Sequence, residues 1–216
     1  LAENGLSRVN ISLDSMNEDV FKFITKTGNL NDVLTSIDLC LQNNVKVKIN
    51  TVIIDGVNNN EIMDFVNLTE KKQVDVRFIE LMPIGAGKSY KGISNDDILN
   101  LIRENNKEFA MEEQKETDGP ATYIKLKNAF GKVGFISAIS NCFCSGCNRI
   151  RITSDGQLKQ CLNWNTGINL KKILLNSSDE ELNRIIKETI FDKPEKHYFN
   201  KDNINEETKF MHEIGG

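Results

Sequence analysis

Val74-Asp75-Val76-Arg77-Phe78-Ile79-Glu80-Leu81-Met82-Pro83 is the stretch on which the fold turns. It reads as a strand stopped by Pro83, which lacks an N–H and restricts the residue before it. Toward the N-terminus, Glu61 to Glu70 reads as a helix entered from the turn Gly56-Val57-Asn58-Asn59, and Val45 to Ile54 as a second strand. Asn31 to Asn43 precedes it, with Val33, Ile37, Cys40 and Leu41 on one helical face. Earlier still, Val9-Asn10-Ile11-Ser12-Leu13-Asp14 alternates and then ends in polar residues. Strand–helix–strand–helix–strand order predicts parallel pairing with helical crossovers. In such sheets functional groups gather beyond the C-terminal ends of the strands, where Asp14, Asp55 and Met82 stand. Taken singly, each is better explained as a loop polar group or a core methionine.

Downstream of Gly85-Ala86-Gly87 the rhythm changes. Ser94 and Asp97 approximate a capping box for a helix carrying Ile98, Leu101 and Ile102. A charged stretch, Arg103 to Glu116, leads to Asp118-Gly119-Pro120. Thr122 to Leu126 and Val133 to Ile136 then read as a hairpin around Asn128-Ala129-Phe130-Gly131. A second hairpin turns at Ser154-Asp155-Gly156-Gln157. Ser178 and Glu181 open a last helix with Leu182, Ile185 and Ile186 on its apolar face. The change of rhythm divides the chain into residues 1–88 and residues 89–216.

Composition bounds the function. With 27 basic and 31 acidic side chains among 216 residues, the formal charge is -4, which argues against a broad nucleic-acid-binding face. No run approaches the roughly 18 to 20 apolar residues that span a bilayer, and Leu1-Ala2-Glu3-Asn4-Gly5 carries no signal pattern. There are five cysteines, and four of them fall between residues 142 and 161. Disulfide frameworks distribute cysteines more widely, so metal binding in a reducing compartment, the cytoplasm, is the better reading.

Cys144 and Cys147 have the spacing that lets two thiolates converge on one ion or cluster, and the 154–156 reversal returns Cys161 toward them. Thiolates select soft metals, leaving zinc and iron–sulfur equally open on spacing alone. Structural zinc needs four protein ligands. Cys142 is a candidate fourth, whereas His197 and His212 lie far along the chain without typical spacing. Three thiolates alone suit a 4Fe-4S cluster with one iron left for an outside ligand. Arg149 and Arg151 alternate with Ile150 and Ile152, so both guanidinium groups are expected on one side and both isoleucines toward the core. Paired arginines beside a thiolate set imply an anionic ligand, phosphate above all. Gly85-Ala86-Gly87-Lys88-Ser89 lacks the earlier glycine of a phosphate-binding loop. No acid–base or nucleophilic catalytic residue is assignable from spacing.

Taken together, these stretches resemble the GTP 3',8-cyclase family of radical S-adenosylmethionine enzymes, which opens molybdenum cofactor biosynthesis. The resemblance rests on Arg8-Val9-Asn10-Ile11-Ser12-Leu13-Asp14-Ser15, Val47-Lys48-Ile49-Asn50-Thr51-Val52, Arg77 to Pro83 and Asp118-Gly119-Pro120-Ala121. It continues through Gly134-Phe135-Ile136-Ser137, Phe143-Cys144, Cys147-Asn148-Arg149-Ile150-Arg151 and Cys161-Leu162 to Ile214-Gly215-Gly216. It spans the chain and matches the C-terminal two-thirds of the family pattern.

The resemblance implies an α/β fold: the C-terminal portion of an incomplete (β/α)6 TIM-type radical enzyme barrel, followed by a cluster-binding α+β region. It implies that Cys144, Cys147 and Cys161 hold a 4Fe-4S cluster whose open iron faces guanine. It implies that Lys48, Arg149 and Arg151 bind GTP, that Ser12 and Met82 contact S-adenosylmethionine, and that Gly215 and Gly216 form an active-site tail. Cys142 matches no ligand of the family. The implied reaction begins with reductive cleavage of S-adenosylmethionine, takes a hydrogen from the ribose 3' carbon of GTP, and joins that carbon to C8 as 3',8-cyclo-7,8-dihydro-GTP. A reductant, the cyclic pyranopterin monophosphate synthase that takes the product, and a homodimer are the implied partners. The family's CxxxCxxC motif, holder of a second, radical-generating 4Fe-4S cluster, has no counterpart in these residues. The chain thus reads as a fragment expected to be inactive alone. A zinc-stabilised anion-binding interaction module and a peptide-modifying radical enzyme with an auxiliary cluster are the rival readings.

Overall fold

The computed structural model describes residues 2–114, 119–165, 167–197, 199, 213 and 214. They form two compact units, Leu1–Leu81 with Lys91–Asn141, and Met82–Tyr90 with Cys142–Gly216.

The first unit follows the order β1 (Arg8–Ser12), α1 (Glu18–Thr25), α2 (Leu30–Gln42), β2 (Lys46–Val52), α3 (Ile62–Lys71), β3 (Val74–Ile79). It continues with α4 (Asn95–Glu104), β4 (Phe109–Met111), β5 (Thr122–Leu126) and β6 (Val133–Ile136). All six strands join one sheet in the order β1-β2-β3-β6-β5-β4. β1, β2, β3 and β6 run parallel, as the crossover helices require, and the β5–β6 hairpin reverses direction before β4 closes the edge. Strands from both sides of the expected division at residue 88 therefore share this sheet.

Alternation decides which face is apolar. Val47 and Ile49 of β2 and Val74, Val76 and Phe78 of β3 are all buried, packed with Ile37 of α2, Phe65 and Val66 of α3, and Ile98 and Ile102 of α4, while Thr51 on the same face of β2 is buried and donates to the Leu13 carbonyl at 2.9 Å. Phe78 anchors this layer, meeting Phe65 edge-on at 6.5 Å and Phe135 in a stack at 6.2 Å. The helices start where polar side chains satisfy free N–H groups. Asn17 accepts from Asp19 and Val20, Asn29 from Asn31, and Ser94 from Asp97.

The opposite face of the parallel strands is polar. Asn10 pairs with Lys48 and then Asp75, and Ser12 with Asn50, Arg77 and Gly134 across four strands. Parallel sheets are ordinarily apolar on both faces, so a polar row of this length marks a surface kept for polar contacts. Two glycines make the geometry work. A Cβ on Gly131 would lie 1.7 Å from the Val74 carbonyl oxygen, so no other residue fits this turn. A Cβ on Gly134 would lie 2.7 Å from the Tyr123 ring and 3.0 Å from Arg77 Cγ. Gly134 thus lets Tyr123 and Arg77 approach across the sheet.

Beyond the C-terminal ends of the parallel strands, two buried carboxylates fix the loops. Glu61 accepts from Ser15 Oγ at 2.7 Å and from the Met16 and Asn17 N–H groups. Glu80, only 4% exposed, accepts from the N–H groups of Ile139 and Ser140 at 2.8 and 2.9 Å, from Ser140 Oγ, and from the first helical N–H of α4 at 3.3 Å. A carboxylate at a helix N-terminus is further favoured by the helix dipole.

The second unit is smaller. β7 (Arg151–Ile152), β8 (Gln157–Lys159) and β9 (Ile168–Asn169) form an antiparallel sheet, followed by α5 (Leu170–Asn176) and α6 (Asp179–Phe191). Gly156, at φ 82°, makes the β7–β8 reversal. Ser178 caps α6 by accepting from Glu181, and Leu182, Ile185 and Ile186 form its half-buried side.

Glu80→Ala strips the acceptor from several buried donors, each costing about 1–3 kcal/mol when left unpaired. The expected loss, after partial rescue by water, is about 3 kcal/mol in urea denaturation of the purified protein. An unchanged midpoint and slope contradict the role given to this carboxylate.

Candidate metal and anion site

The loop from Cys142 to Arg151 carries most of the chemistry. Phe143 leads into a single 3-10 turn, Cys144–Gly146, closed by the Cys147 N–H donating to the Cys144 carbonyl at 3.1 Å. Cys144, Cys147 and Cys161 are half-buried and Cys142 is exposed; all four are free thiols.

Lys193, just beyond α6, fastens this loop. Its ammonium donates to the Cys147 carbonyl at 2.6 Å, to Cys147 Sγ at 3.2 Å and to the Arg149 carbonyl at 2.9 Å. One cation thereby contacts both the Cys147 sulfur and the backbone that carries the arginines.

The thiols differ in acidity. Burial pushes Cys144 up; the His197 N–H lowers it, and the charges of Cys142 and Cys161 add to the rise. For Cys147, burial is the largest single influence and opposes ionisation. The Arg149 N–H, the Lys193 ammonium and the Arg149 charge together outweigh it and bring the thiol below its ordinary value.

Arg151 is held below its ordinary value by burial first and by the Arg149 charge second, while Cys147 and Cys161 pull it back up. The two guanidinium groups therefore share one electrostatic neighbourhood with two of the thiols. Arg149 also lies over the Phe143 ring at 5.8 Å. An open cleft of about 560 Å³ is lined by Asn148 to Ile152. The isoleucines depart from expectation: Ile150 is 41% and Ile152 61% exposed, while Arg151 is half-buried. β7 holds only Arg151 and Ile152 and pairs, among the described residues, with β8 alone, so Arg149 and Ile150 lie in the loop before it and no strand alternation governs them.

In the first unit, Lys48 lies on the polar sheet face, donating to Tyr123 Oη at 3.4 Å with its ammonium over that ring at 5.5 Å. Ser12 is exposed at the C-terminal end of β1. In the second unit, Met82 is half-buried, and its carbonyl accepts from Ile84 at 2.8 Å. Asp14, noted for its position, is pushed up by burial, while its carboxylate accepts from the Val52 N–H at 2.8 Å. Asp118, Gly215 and Gly216 lie outside the described residues.

Four residues were missed by sequence reasoning; one is Lys193, whose partners Cys147 and Arg149 lie more than forty residues back along the chain. Arg77 shares the face of Lys48 and is oriented by Asn50 and Asn10, each at 2.8 Å; its alternation with Val76 and Phe78 was the available signal. Glu80 was read only as part of a strand, because its partners lie about sixty residues away. His197, set aside for its distance along the chain, converges on Cys142 and Cys144, with all three donor atoms within 4.8 Å of one another.

A family model described as Molybdenum Cofactor Synthesis C matches residues 74–199, and one described as Radical SAM superfamily matches residues 1–69. The GTP 3',8-cyclase of Clostridium perfringens strain SM101 is 54% identical over 217 residues, covering 100% of this chain and 67% of that protein. The chain belongs to the GTP 3',8-cyclase family. Proteins of the same name from Clostridium botulinum strain Hall and Alkaliphilus oremlandii are 45% and 41% identical over 220 residues, again covering 100% of the chain and 67% of each relative. Radical S-adenosylmethionine enzymes use that cofactor with iron–sulfur clusters, and the donor set fits one in chemistry: half-buried thiols, each in electrostatic contact with another thiol or with a basic group. No helix among the described residues is long and apolar enough to cross a membrane.

In this family member freed of metal, alkylation of Cys147 should begin at lower pH than that of Cys144, as a lowered thiol ionises earlier and a raised one later. Lys193→Met removes two influences that favour the thiolate, so the Cys147 profile should move upward and leave Cys144 unchanged. Peptide mapping after brief iodoacetamide pulses reads both, and identical profiles for the two thiols contradict the assignment.

Proposed function

We propose that these residues hold GTP for its conversion to 3',8-cyclo-7,8-dihydro-GTP by a radical mechanism in molybdenum cofactor biosynthesis. The observation that carries this reading is Arg151 placed beside Arg149 and between the influences of Cys147 and Cys161. Paired guanidinium groups grip phosphate oxygens, and thiolates alongside them bring a soft metal close to the same ligand.

In this reading Arg149, Arg151 and Lys48 bind GTP, with Arg77 a further cation on the face of Lys48. Cys144, Cys147 and Cys161 hold a 4Fe-4S cluster that takes the guanine, and Lys193 keeps Cys147 and the arginine backbone in register. Ser12 and Met82 contact S-adenosylmethionine, which with a second cluster supplies the radical chemistry. Gly215 and Gly216 reach the active site as a side-chain-free tail. The parallel strands with their polar face belong to an incomplete (β/α)6 barrel whose lumen that face lines; residues 1–88 supply three of those strands and Lys48, and residues 89–216 supply the fourth, β6, together with the cluster ligands and the paired arginines. A cytoplasmic reductant starts the reaction, the cyclic pyranopterin monophosphate synthase takes the product, and a homodimer is compatible with the reading. Residues 1–216 alone do not initiate turnover, since they contain no CxxxCxxC motif. The names carried by the relatives favour GTP over a peptide substrate.

The test uses the complete protein, reconstituted anaerobically with iron and sulfide. Cys147→Ala and Cys161→Ala should each remove about one cluster's worth of iron and sulfide per chain. Arg149→Ala and Arg151→Ala should each weaken GTP binding about 10- to 100-fold with the iron content unchanged. Iron uptake indifferent to both cysteines, or GTP affinity indifferent to both arginines, overturns the reading.

A further inference from the structure

Cys142 and His197 take no part in the proposed cluster, yet they meet at Cys144. The Cys142 and Cys144 sulfurs and a His197 ring nitrogen all lie within 4.8 Å of one another. That limit admits a single ion at the centre of three donors: metal–sulfur bonds of about 2.3 Å and a metal–nitrogen bond of about 2.0 Å, at tetrahedral angles, put ligand atoms about 3.5–4 Å apart. The convergence is not an accident of adjacent sequence, because His197 lies more than fifty residues beyond Cys142.

The imidazole also needs a partner. Both His197 ring nitrogens are buried, and neither has a hydrogen-bond partner among the described residues. Its ring packs against Phe199 at 4.5 Å, an apolar contact that does nothing for either nitrogen. Leaving buried polar atoms unpaired is costly, and imidazole buried beside two thiols gains most by ligating a soft cation. The His197 backbone N–H reaches Cys144 as well, so the same residue presents both its main chain and its ring to that sulfur. Lys193, in contrast, occupies Cys147 and leaves Cys142 and Cys144 to His197.

We propose that Cys142, Cys144 and His197 form a mixed thiolate–imidazole site for one zinc ion, overlapping the cluster set only at Cys144. Two thiolates and one imidazole suit zinc in charge and softness, with water in the fourth position. Binding releases the thiol protons and involves no electron transfer. Because Cys144 serves both sets, zinc and the cluster exclude each other, and zinc loading delays cluster assembly. The inference stands on this donor group and does not rest on GTP as substrate.

The test again uses the complete protein, stripped of metal under reducing, anaerobic conditions and titrated with zinc against a chromophoric chelator. One ion should bind per chain through this group. Cys142→Ala and His197→Ala should each weaken zinc binding on the order of 100-fold and still accept iron and sulfide. Cys147→Ala should do the reverse, keeping the zinc affinity while losing the cluster. His197→Cys, which exchanges one zinc donor for another, should retain tight binding. Cobalt as a spectroscopic probe should lose about half of its thiolate charge-transfer intensity in Cys142→Ala. Zinc affinity unchanged in both Cys142→Ala and His197→Ala overturns the proposal, as does zinc binding lost in Cys147→Ala. Failure of iron uptake in the otherwise intact protein would sink the cluster reading and leave the zinc site standing.

Discussion

Glu80 is the interaction on which the first unit depends. Its carboxylate sits just past the last residue of β3, where a parallel sheet leaves its strand ends without further pairing. By accepting from the turn after β6 and from the start of α4, it ties together three segments that the chain separates widely. The arrangement tolerates a buried charge only because four donors surround it. Glu61 repeats the device beneath the loop after β1. With its loops fixed in this way, the sheet can leave one face polar, and Lys48 and Arg77 are held there by neighbours rather than by packing.

The second unit solves a different electrostatic problem. Several thiols and two arginines crowd into a short loop, where like charges repel and burial penalises both kinds. Opposite charges placed among them offset the penalty: Lys193 at Cys147, and Arg151 beside Cys147 and Cys161. The outcome is a loop with thiols of unequal acidity.

Much of the first unit was legible in the residues. The periodicity of β1, α2, β2, α3 and β3 located each within a few residues, and the crossover order gave parallel pairing. The caps at Ser94 and Ser178 were read from local spacing and serve as caps. Misses came where structure depends on distant partners. The short helix α1 and the strand β4 carry little pattern of their own; β4 exists because β5 offers an edge. Glu80 and Arg77 gain meaning only through residues far along the chain. For Ile150 and Ile152, alternation misled because the strand holds only Arg151 and Ile152, too short for a strand period to assign faces across residues 149–152. His197 was discounted on sequence distance, which a fold can cancel.

Under the proposed function, a GTP ribose is held for hydrogen removal by the protein that carries these residues. The most direct measurement uses GTP deuterated at the ribose 3' carbon, the complete reconstituted enzyme, S-adenosylmethionine and a reductant. Deuterium should appear in the 5'-deoxyadenosine produced, together with loss of GTP. Unlabelled 5'-deoxyadenosine formed while GTP is consumed contradicts it.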